Sequence, residues 1–122
     1  MIGLLKALLG RDGTGIDPRA ALQRIEHGAV LVDVREPEEF ANGHAPGARL
    51  LPLSRIRSDG AAALDALRLP AGGECEVLLV CRSGMRSRIA RRLLAKGARY
   101  RCLNVDGGMA AWAAAGLPLV RP

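Results

Sequence analysis

The residues best suited to chemistry lie between positions 76 and 96, around Cys81. Residues 76–80 are an apolar run with the length and branched side chains of a buried strand, and Cys81 follows at once. Residues 82–87 form a polar stretch with a central glycine, and residues 88–96 repeat apolar side chains at helical spacing. The pattern predicts a strand, a cysteine, a tight loop and a helix, in that order.

A cysteine in this position is placed to act as a nucleophile. In a parallel α/β sheet, ligands bind beyond the carboxyl ends of the strands, where loop amides and a helix N-terminus face an anion. Such a setting, with cations nearby, can lower a thiol pKa from about 8.5 to between about 3.5 and 7.5. Arg82, Arg86 and Arg88 could supply those cations. The pattern favours covalent catalysis by a Cys81 thiolate on an anionic substrate.

The other residues around Cys81 are given roles by their positions. Arg82 and Arg86 are expected to bind the anion, whereas Arg88 is left open between that role and a surface charge. Cys75 adjoins a Gly-Gly turn and Cys102 sits within a predicted strand, so both are expected to pack or to lie at the surface. The predicted substrate-binding loop consists of Arg82, Ser83, Gly84, Met85, Arg86 and Ser87.

Three polar residues nearer the N-terminus are expected to have structural roles. Asp33 and Arg35 are expected to pair as a structural ion bridge beneath the site rather than to act as acid or base. His44 lies before an Ala-Pro-Gly turn and is expected to bond to local backbone.

Helices and strands alternate along the rest of the chain. Asp17 and Pro18 are predicted to start a helix that ends near Gly28, after a flexible joint at residues 11–15. Ser54 is a candidate helix N-cap and Gly97 a helix C-terminal cap. The remaining predicted elements are strands at 30–34, 48–53 and 101–105, helices at 36–41, 61–69 and 109–115, and turns at 42–47, 70–73 and 107–108.

This alternation predicts a small α/β domain with a mainly parallel sheet and right-handed crossovers. Asp33, Cys81 and Asp106 each fall at the carboxyl end of a predicted strand. They should therefore share one edge of the sheet, and that edge is the predicted site.

Composition limits the alternatives. The chain has 122 residues, which fits one domain, and 18 Lys plus Arg against 12 Asp plus Glu give a net charge of +6. A polyanionic partner such as nucleic acid is one interpretation, but an arginine-rich solvated surface is favoured because stacking aromatics do not flank the basic residues. Direct binding of nucleic acid is therefore not expected.

The cysteines and the first ten residues indicate in which cell compartment the protein is expected. Three cysteines without a CxxC pair argue against a disulfide framework or a zinc site, which favours a reducing compartment, the cytoplasm. Residues 1–10 are apolar but too short to span a bilayer, and they lack the features of a cleaved signal. A short helix packed on the domain or on a partner is expected there, with membrane association as the weaker alternative.

Four motifs in order closely resemble a single-domain rhodanese, a sulfurtransferase, over residues 17–119. Together they make a specific signal, whereas each alone would be weak. The motifs are Asp33-Val34-Arg35-Glu36-Pro37-Glu38-Glu39-Phe40, Gly43-His44-Ala45-Pro46-Gly47-Ala48, Cys81-Arg82-Ser83-Gly84-Met85-Arg86-Ser87, and Asp106-Gly107-Gly108 with Trp112 and Gly116-Leu117-Pro118. The family usually has Ile where this chain has Ala45, a change that affects packing and not chemistry.

The resemblance implies a rhodanese-like three-layer α/β/α domain over residues 17–122, with residues 1–16 as an N-terminal extension. It places a persulfide on Cys81, cradled by residues 82–87. The implied reaction takes sulfur from a small anionic donor such as thiosulfate and gives it to a thiol, a protein acceptor or cyanide, without a metal or organic cofactor. The physiological donor and acceptor and the oligomeric state are left open.

Other functions are compatible with parts of this sequence pattern. Cysteine phosphatases and arsenate reductases also hold a thiolate in an anion-binding loop, but they need an arginine six positions after the cysteine. That position is Ser87 here, and Arg86 comes one residue early. A non-catalytic interaction module is disfavoured because Cys81 is present, while sulfur relay to a protein or a tRNA-modifying partner stays compatible with the basic surface.

Overall fold

The computed structural model describes residues 14–70, 75–97 and 99–121. Within these ranges the chain alternates between parallel strands and helices. The strands are β1 Gly15–Ile16, β2 Val30–Asp33, β3 Arg49–Leu50, β4 Glu76–Val80 and β5 Arg101–Val105. The helices are α1 Pro18–Glu26, α2 Pro37–Ala41, α3 Leu53–Asp59, α4 Ala62–Asp65, α5 Met85–Leu94 and α6 Gly108–Ala114.

The strands form one sheet in the order β1-β5-β4-β2-β3, and every ladder in it is parallel. This confirms the predicted α/β class and the parallel sheet. Strand β4 lies at the centre, with Val80 beside Asp33 of β2 and Leu79 beside Asn104 of β5. Because the strands run the same way, the residues after β2, β4 and β5 meet at one edge, as predicted.

Two hydrophobic cores lie on opposite faces of the sheet, and β4 contributes to both. Side chains alternate across a strand, so Val77 and Leu79 enter the core beneath α3, α4 and α5, whereas Leu78 and Val80 enter the core beneath α1 and α6. Cys81 continues the first alternation and joins the α3–α5 side. A sheet with helices on both faces requires such continuously apolar strands.

The predicted helix start at Asp17 is confirmed. The Asp17 carboxylate accepts a 2.8 Å hydrogen bond from the Ala20 amide, and Pro18 occupies the first helical position of α1.

The predicted cap at Ser54 is wrong. Helix α3 begins one residue earlier, at Leu53, and its N-cap is Pro52. The Leu53 amide donates to the Val34 carbonyl at 3.0 Å and its side chain is buried, so docking onto the segment after β2 sets the start of this helix.

Other boundaries also differ from the prediction. Strand 48–53 shrinks to Arg49–Leu50, with Pro52 lacking an amide for further pairing. Helix 61–69 ends at Asp65, and Arg68 adopts a φ of 53° just beyond it. Helix α5 ends without a glycine cap, because its C-cap is Ala95 in a right-handed conformation and Gly97 only donates an amide to the Leu94 carbonyl.

The prediction of a flexible joint at residues 11–15 is wrong for its last residue, Gly15. Gly15 and Ile16 form the edge strand β1, paired with Asn104 and Val105 of β5. Gly15 suits this position because a Cβ there would collide with the Asp106 carboxylate. The predicted helix at 1–10 and most of the turn at 70–73 lie outside the described residues, within which no helix is long and apolar enough to cross a membrane.

Candidate active site

Cys81 lies directly after the central strand, at the middle of the sheet's carboxyl edge. Its side chain faces the core on the α3–α5 side, and the residue is only 1% exposed. The chain then turns through residues 82–84 into α5, which begins at Met85, so the second half of the predicted loop at 82–87 is already helical. A thiol at the floor of this turn has the backbone of the turn and the first residues of α5 as its surroundings.

The turn directs hydrogen-bond donors at the sulfur. The Gly84 amide donates to Cys81 Sγ at 3.0 Å, and the Ser87 Oγ lies 3.4 Å from the same sulfur. Gly84 is the N-cap of α5 and has a φ of 108°, a left-handed conformation that favours glycine. This conformation turns the chain so that the N-terminus of α5 faces the thiol, where a negative charge is stabilised.

The surroundings of Cys81 lower its pKa. Burial acts to raise the pKa, but hydrogen bonds from the Ser87 hydroxyl and from the Ser87, Gly84 and Ser83 amides outweigh it. The sequence predicts that arginines contribute to this lowered pKa, whereas hydrogen bonds from the loop and from α5 account for it.

The pKa values of the other two cysteines are raised instead of lowered. Burial raises the pKa of Cys102 to about 11 and also raises the pKa of Cys75. Cys102 lies within β5, as predicted, and in the contacts of the described residues both thiols donate, Cys75 to the Glu76 carbonyl and Cys102 to the Tyr100 carbonyl. Among the three thiols, Cys81 is the one favoured to ionise.

Helix α6 supports the cysteine from behind. The Met109 amide donates to the Cys81 carbonyl at 2.8 Å, and the Ala110 amide donates to the Arg82 carbonyl at 3.0 Å. Gly108 lies against these carbonyls, and a Cβ there would lie 2.6 Å from the Arg82 oxygen and closer still to the Cys81 oxygen. The predicted turn at 107–108 therefore allows close contact between α6 and the reactive loop.

The loop arginines differ from one another. Arg86 forms a bidentate ion pair with Glu39 of α2, with N···O distances of 2.6 and 2.9 Å. This pairing holds the pKa of Glu39 at about 2, chiefly through the hydrogen bond to Arg86. The expectation that Arg86 is a freely available anion ligand therefore needs correction, because a carboxylate already takes both ends of its guanidinium.

Arg82 and Arg88 are arranged differently. Arg82 is exposed, and no described residue forms an ion pair or a hydrogen bond with its side chain. Arg88 lines a small surface depression with Thr14, Arg91 and Arg92, and Cys81 does not take part in that lining.

The predicted supporting pair is present. Arg35 and Asp33 are both buried and form a bidentate ion pair, with the closest N···O distance 2.8 Å, and Arg35 also donates to the Gly43 carbonyl at 2.7 Å. His44 donates from Nδ1 to the Phe40 carbonyl at 2.8 Å and stacks on the Phe40 ring. The expected structural pairing and the local bonding of His44 are confirmed.

Two residues of the site were not singled out from the sequence. Glu39 lies in the predicted α2, and nothing local indicates its partner 47 positions later. Asn104 is a buried amide inside strand β5, where its hydrogen bonds reach Ser87 and Asp106. A polar residue within an otherwise apolar central strand is the one signal that could have drawn attention to it.

Known proteins share both the sequence pattern and the fold. The family model described as rhodanese-like domain matches residues 17–115. A sulfurtransferase of Allochromatium vinosum is 37% identical over 109 residues, covering 88% of this chain and 94% of that protein. The thiosulfate sulfurtransferase GlpE of Pseudomonas putida is 37% identical over 100 residues, covering 81% and 84% respectively.

A solved structure has the same fold. The rhodanese-related protein of Thermoplasma volcanium superimposes with a TM-score of 0.73 at 23% identity, covering 88% of this chain and 98% of that one. At this identity the similarity concerns the fold alone.

Proposed function

Because this chain belongs to the rhodanese-like domain family, we propose that it is a sulfurtransferase that carries a sulfane sulfur on Cys81. The observation that supports this most is the environment of the thiol, which has the Gly84 amide at 3.0 Å and the Ser87 hydroxyl at 3.4 Å. These donors favour the thiolate that the reaction needs, and the pKa values of Cys75 and Cys102 change in the opposite direction.

The first half of the proposed reaction is a displacement at sulfur. The Cys81 thiolate attacks the outer sulfur of a donor such as thiosulfate and forms a new S–S bond. The S–S bond of the donor breaks, and sulfite leaves with its electron pair. Cys81 is then a persulfide whose outer sulfur carries the negative charge, and the loop amides stabilise that charge as they stabilise the thiolate.

The second half returns the enzyme to its starting state. A thiolate or cyanide attacks the outer sulfur, takes it, and releases the Cys81 thiolate as the leaving group. The two displacements balance in atoms and electrons and need no metal or organic cofactor. A lowered thiol pKa serves both halves, because it increases the thiolate population and improves the leaving group.

The loop and its supports have distinct proposed roles. The amides of residues 83, 84 and 87 would bind the charged sulfur, and exposed Arg82 would attract the anionic donor. Met85 is largely exposed at the first position of α5, where an acceptor could contact it. The Asp33–Arg35 pair would hold the neighbouring edge of the sheet in place.

The geometry disfavours the phosphatase alternative. A phosphate-binding loop of that kind needs a guanidinium at the position of Ser87, which is fully buried here beside Asn104. Two arginines adjoin Ser87 in sequence: Arg86 is occupied by Glu39 on both of its ends, and Arg88 lines the surface depression in which Cys81 takes no part. The position at which those enzymes grip phosphate therefore offers no guanidinium here.

Steady-state assays test the proposal. The wild type should transfer sulfur from thiosulfate to cyanide, and Cys81→Ser should reduce that rate to the uncatalysed level, whereas Cys102→Ser should retain it. Aryl phosphates should not be hydrolysed by any of the three proteins. Phosphatase turnover by the wild type that is lost in Cys81→Ser would overturn the proposal in favour of the alternative.

A further inference from the structure

A buried chain of polar side chains leads away from the cysteine and is not explained by the reaction described above. Ser87 is 0% exposed and Asn104 is 1% exposed. The Ser87 Oγ has three neighbours that can share its hydrogen bonds, namely Cys81 Sγ at 3.4 Å, the Gly84 carbonyl at 3.2 Å and the Asn104 Oδ1 at a shorter distance. Buried polar groups of this kind have few alternative partners, so their orientations are well defined.

The orientation of the Asn104 amide follows from Asp106. The Asn104 Nδ2 donates to Asp106 Oδ1 at 2.9 Å, and an ionised carboxylate can only accept. The amide must therefore turn its nitrogen to Asp106 and its oxygen to Ser87. An amide oxygen also only accepts, so the Ser87 hydroxyl is the donor in the contact with Asn104.

This assignment determines what Ser87 offers to the cysteine. A hydroxyl has one proton and two lone pairs. With the proton directed at Asn104, a lone pair of Ser87 faces Cys81 Sγ, which suits a thiol that donates its S–H. Ser87 has a single hydroxyl proton, for which the Asn104 oxygen, the Gly84 carbonyl and a Cys81 thiolate compete, so a hydrogen bond to the thiolate weakens the contact with Asn104.

We propose that Asn104 is a positioning residue that draws the Ser87 proton toward itself and so limits how strongly Ser87 stabilises the Cys81 thiolate. The inference deepens the proposed sulfur transfer and rests on it for its biological meaning, but its physical content concerns the thiol alone. Ser87 still favours the thiolate, but Asn104 competes for the same proton and makes that contribution smaller.

Limiting the stabilisation of the Cys81 thiolate in this way would help the attack on the donor. The intrinsic nucleophilicity of a thiolate falls as its pKa falls, and the best attacking thiol has a pKa near the ambient pH. The amides of the loop already lower the Cys81 pKa. Competition by Asn104 would keep the sulfur basic enough to attack the donor.

Other charged groups surround the loop, and the test substitutes none of them, although Asp106 loses the hydrogen bond from Asn104 in both Ser87 backgrounds. They are Arg82 in the loop itself, Arg86 of α5 with Glu39 of α2, the Asp33–Arg35 pair after β2, and Asp106 after β5.

The test measures the Cys81 thiol pKa from the rate of iodoacetamide alkylation as a function of pH, followed by peptide mass spectrometry at Cys81. Ser87→Ala should raise the pKa, because it removes a donor to the thiolate. Asn104→Leu, which keeps a similar volume, and Asn104→Ala should both lower it by about one unit, the size expected for one hydrogen bond to a charged group. In the Ser87→Ala background, either Asn104 substitution should leave the pKa unchanged.

The double variants separate this role from a merely structural one. Loss of packing would alter Cys81 with or without the Ser87 hydroxyl, and a far-ultraviolet spectrum with a melting curve identifies a variant that is not folded. If Asn104→Leu raises the pKa, leaves it unchanged, or shifts it equally in both backgrounds, the inference is overturned. Alkylation requires no sulfur donor, so a failure of the proposed sulfur transfer would not alter this result.

Discussion

Cys81, Cys75 and Cys102 lie within one small domain, yet their surroundings change their pKa values in opposite directions. Burial raises the pKa of Cys75 and Cys102, because charge is costly away from water. Cys81 is as buried as Cys102 but has several donors directed at its sulfur, and they outweigh the cost of burial. The tendency of these thiols to ionise therefore depends on local hydrogen bonds and not on exposure.

Arg82 and Arg86 should differ in their effect on donor binding. Arg82→Ala should raise the apparent KM for thiosulfate, since it removes an exposed cation without an acidic partner among the described residues. Arg86→Ala should change KM less, because Glu39 already neutralises this guanidinium. Steady-state profiles at two ionic strengths measure both effects, and salt should weaken donor binding more in the wild type than in Arg82→Ala. Equal KM values in all three proteins would show that neither arginine attracts the donor.

The Glu39–Arg86 pair should make the free energy of unfolding depend on pH in the acid range. The pKa of Glu39 falls from 4.5 to about 2 in the folded protein. Its contribution is therefore fully present above pH 4.5 and is lost as the pH falls toward 2. Glu39→Gln should reduce the free energy of unfolding at neutral pH by under about 1 kcal/mol, since both side chains are about one-third exposed.

Urea unfolding at several pH values between about 5 and 3 measures this dependence. The difference between wild type and Glu39→Gln should shrink as the pH falls. Asp59→Asn, which breaks the more exposed Arg55–Asp59 pair, is the matched control and should have a smaller effect at neutral pH. A difference that grows toward low pH would contradict the assignment.

At the scale of elements, the reactive loop is held by two helix N-termini. Helix α5 begins at Met85, and the Ser87 amide in its first turn acts on the cysteine sulfur together with the amides of Ser83 and Gly84 just before the helix. Helix α6 begins at Gly108 and donates two amides to the backbone carbonyls of the loop. In the proposed reaction, α5 therefore stabilises the charged sulfur, and α6 fixes the position of the backbone that carries Cys81.

Gly108→Ala should damage the site through this second helix. Its φ is 60°, and the added Cβ would collide with the Cys81 and Arg82 carbonyls, so the loop or α6 must move. A left-handed backbone alone costs a residue with a Cβ about 1 to 2 kcal/mol, and the collision should make the loss of stability larger than that. The rate of sulfur transfer should also fall strongly. Thermal unfolding and steady-state rates measure the two effects.

Gly116→Ala is the matched control for that substitution. Gly116 has a similar φ of 73°, but no described atom lies within 4 Å of its ideal Cβ position. The Gly116→Ala protein should therefore lose stability through left-handed backbone strain but keep its rate of sulfur transfer. If the two variants behave alike, close contact at Gly108 is not what positions the loop.

The sequence predicted the elements that carry the site better than it predicted their ends. Strand β4, the loop and α5 follow from local apolar periodicity and a glycine, so they could be recognised without tertiary information. Contacts made elsewhere set the start of α3, as the bond from the Leu53 amide to the Val34 carbonyl shows. The pairing of Arg86 with Glu39 and the orientation of Asn104 depend on residues distant in the chain, which no local pattern reveals.

At the scale of the molecule, the sheet extends beyond the part of the chain that matches the family model. That match begins at residue 17, whereas β1 occupies Gly15–Ile16 and pairs with β5. Ile16 is 1% exposed and packs into the core beneath α1 and α6. The edge strand therefore contributes to the same core as Trp112 and Met109.

Ile16→Ala should destabilise the whole domain. Removing a fully buried Ile side chain costs about 2 to 5 kcal/mol, because apolar contacts are lost and a cavity remains. Chemical unfolding of the full chain measures the loss, and Leu119→Ala, at a position that is 40% exposed, should cost far less. A loss at Ile16 no larger than that at Leu119 would show that β1 is not part of the folded core.

The central claim is that Cys81 carries the transferred sulfur, and intact-mass measurement after incubation with thiosulfate tests it most directly. The wild type and Cys102→Ser should each gain one sulfur atom, which a reducing thiol should remove. Cys81→Ser should gain none. A sulfur atom found on the Cys81→Ser protein, or its absence from the wild type, would contradict the account.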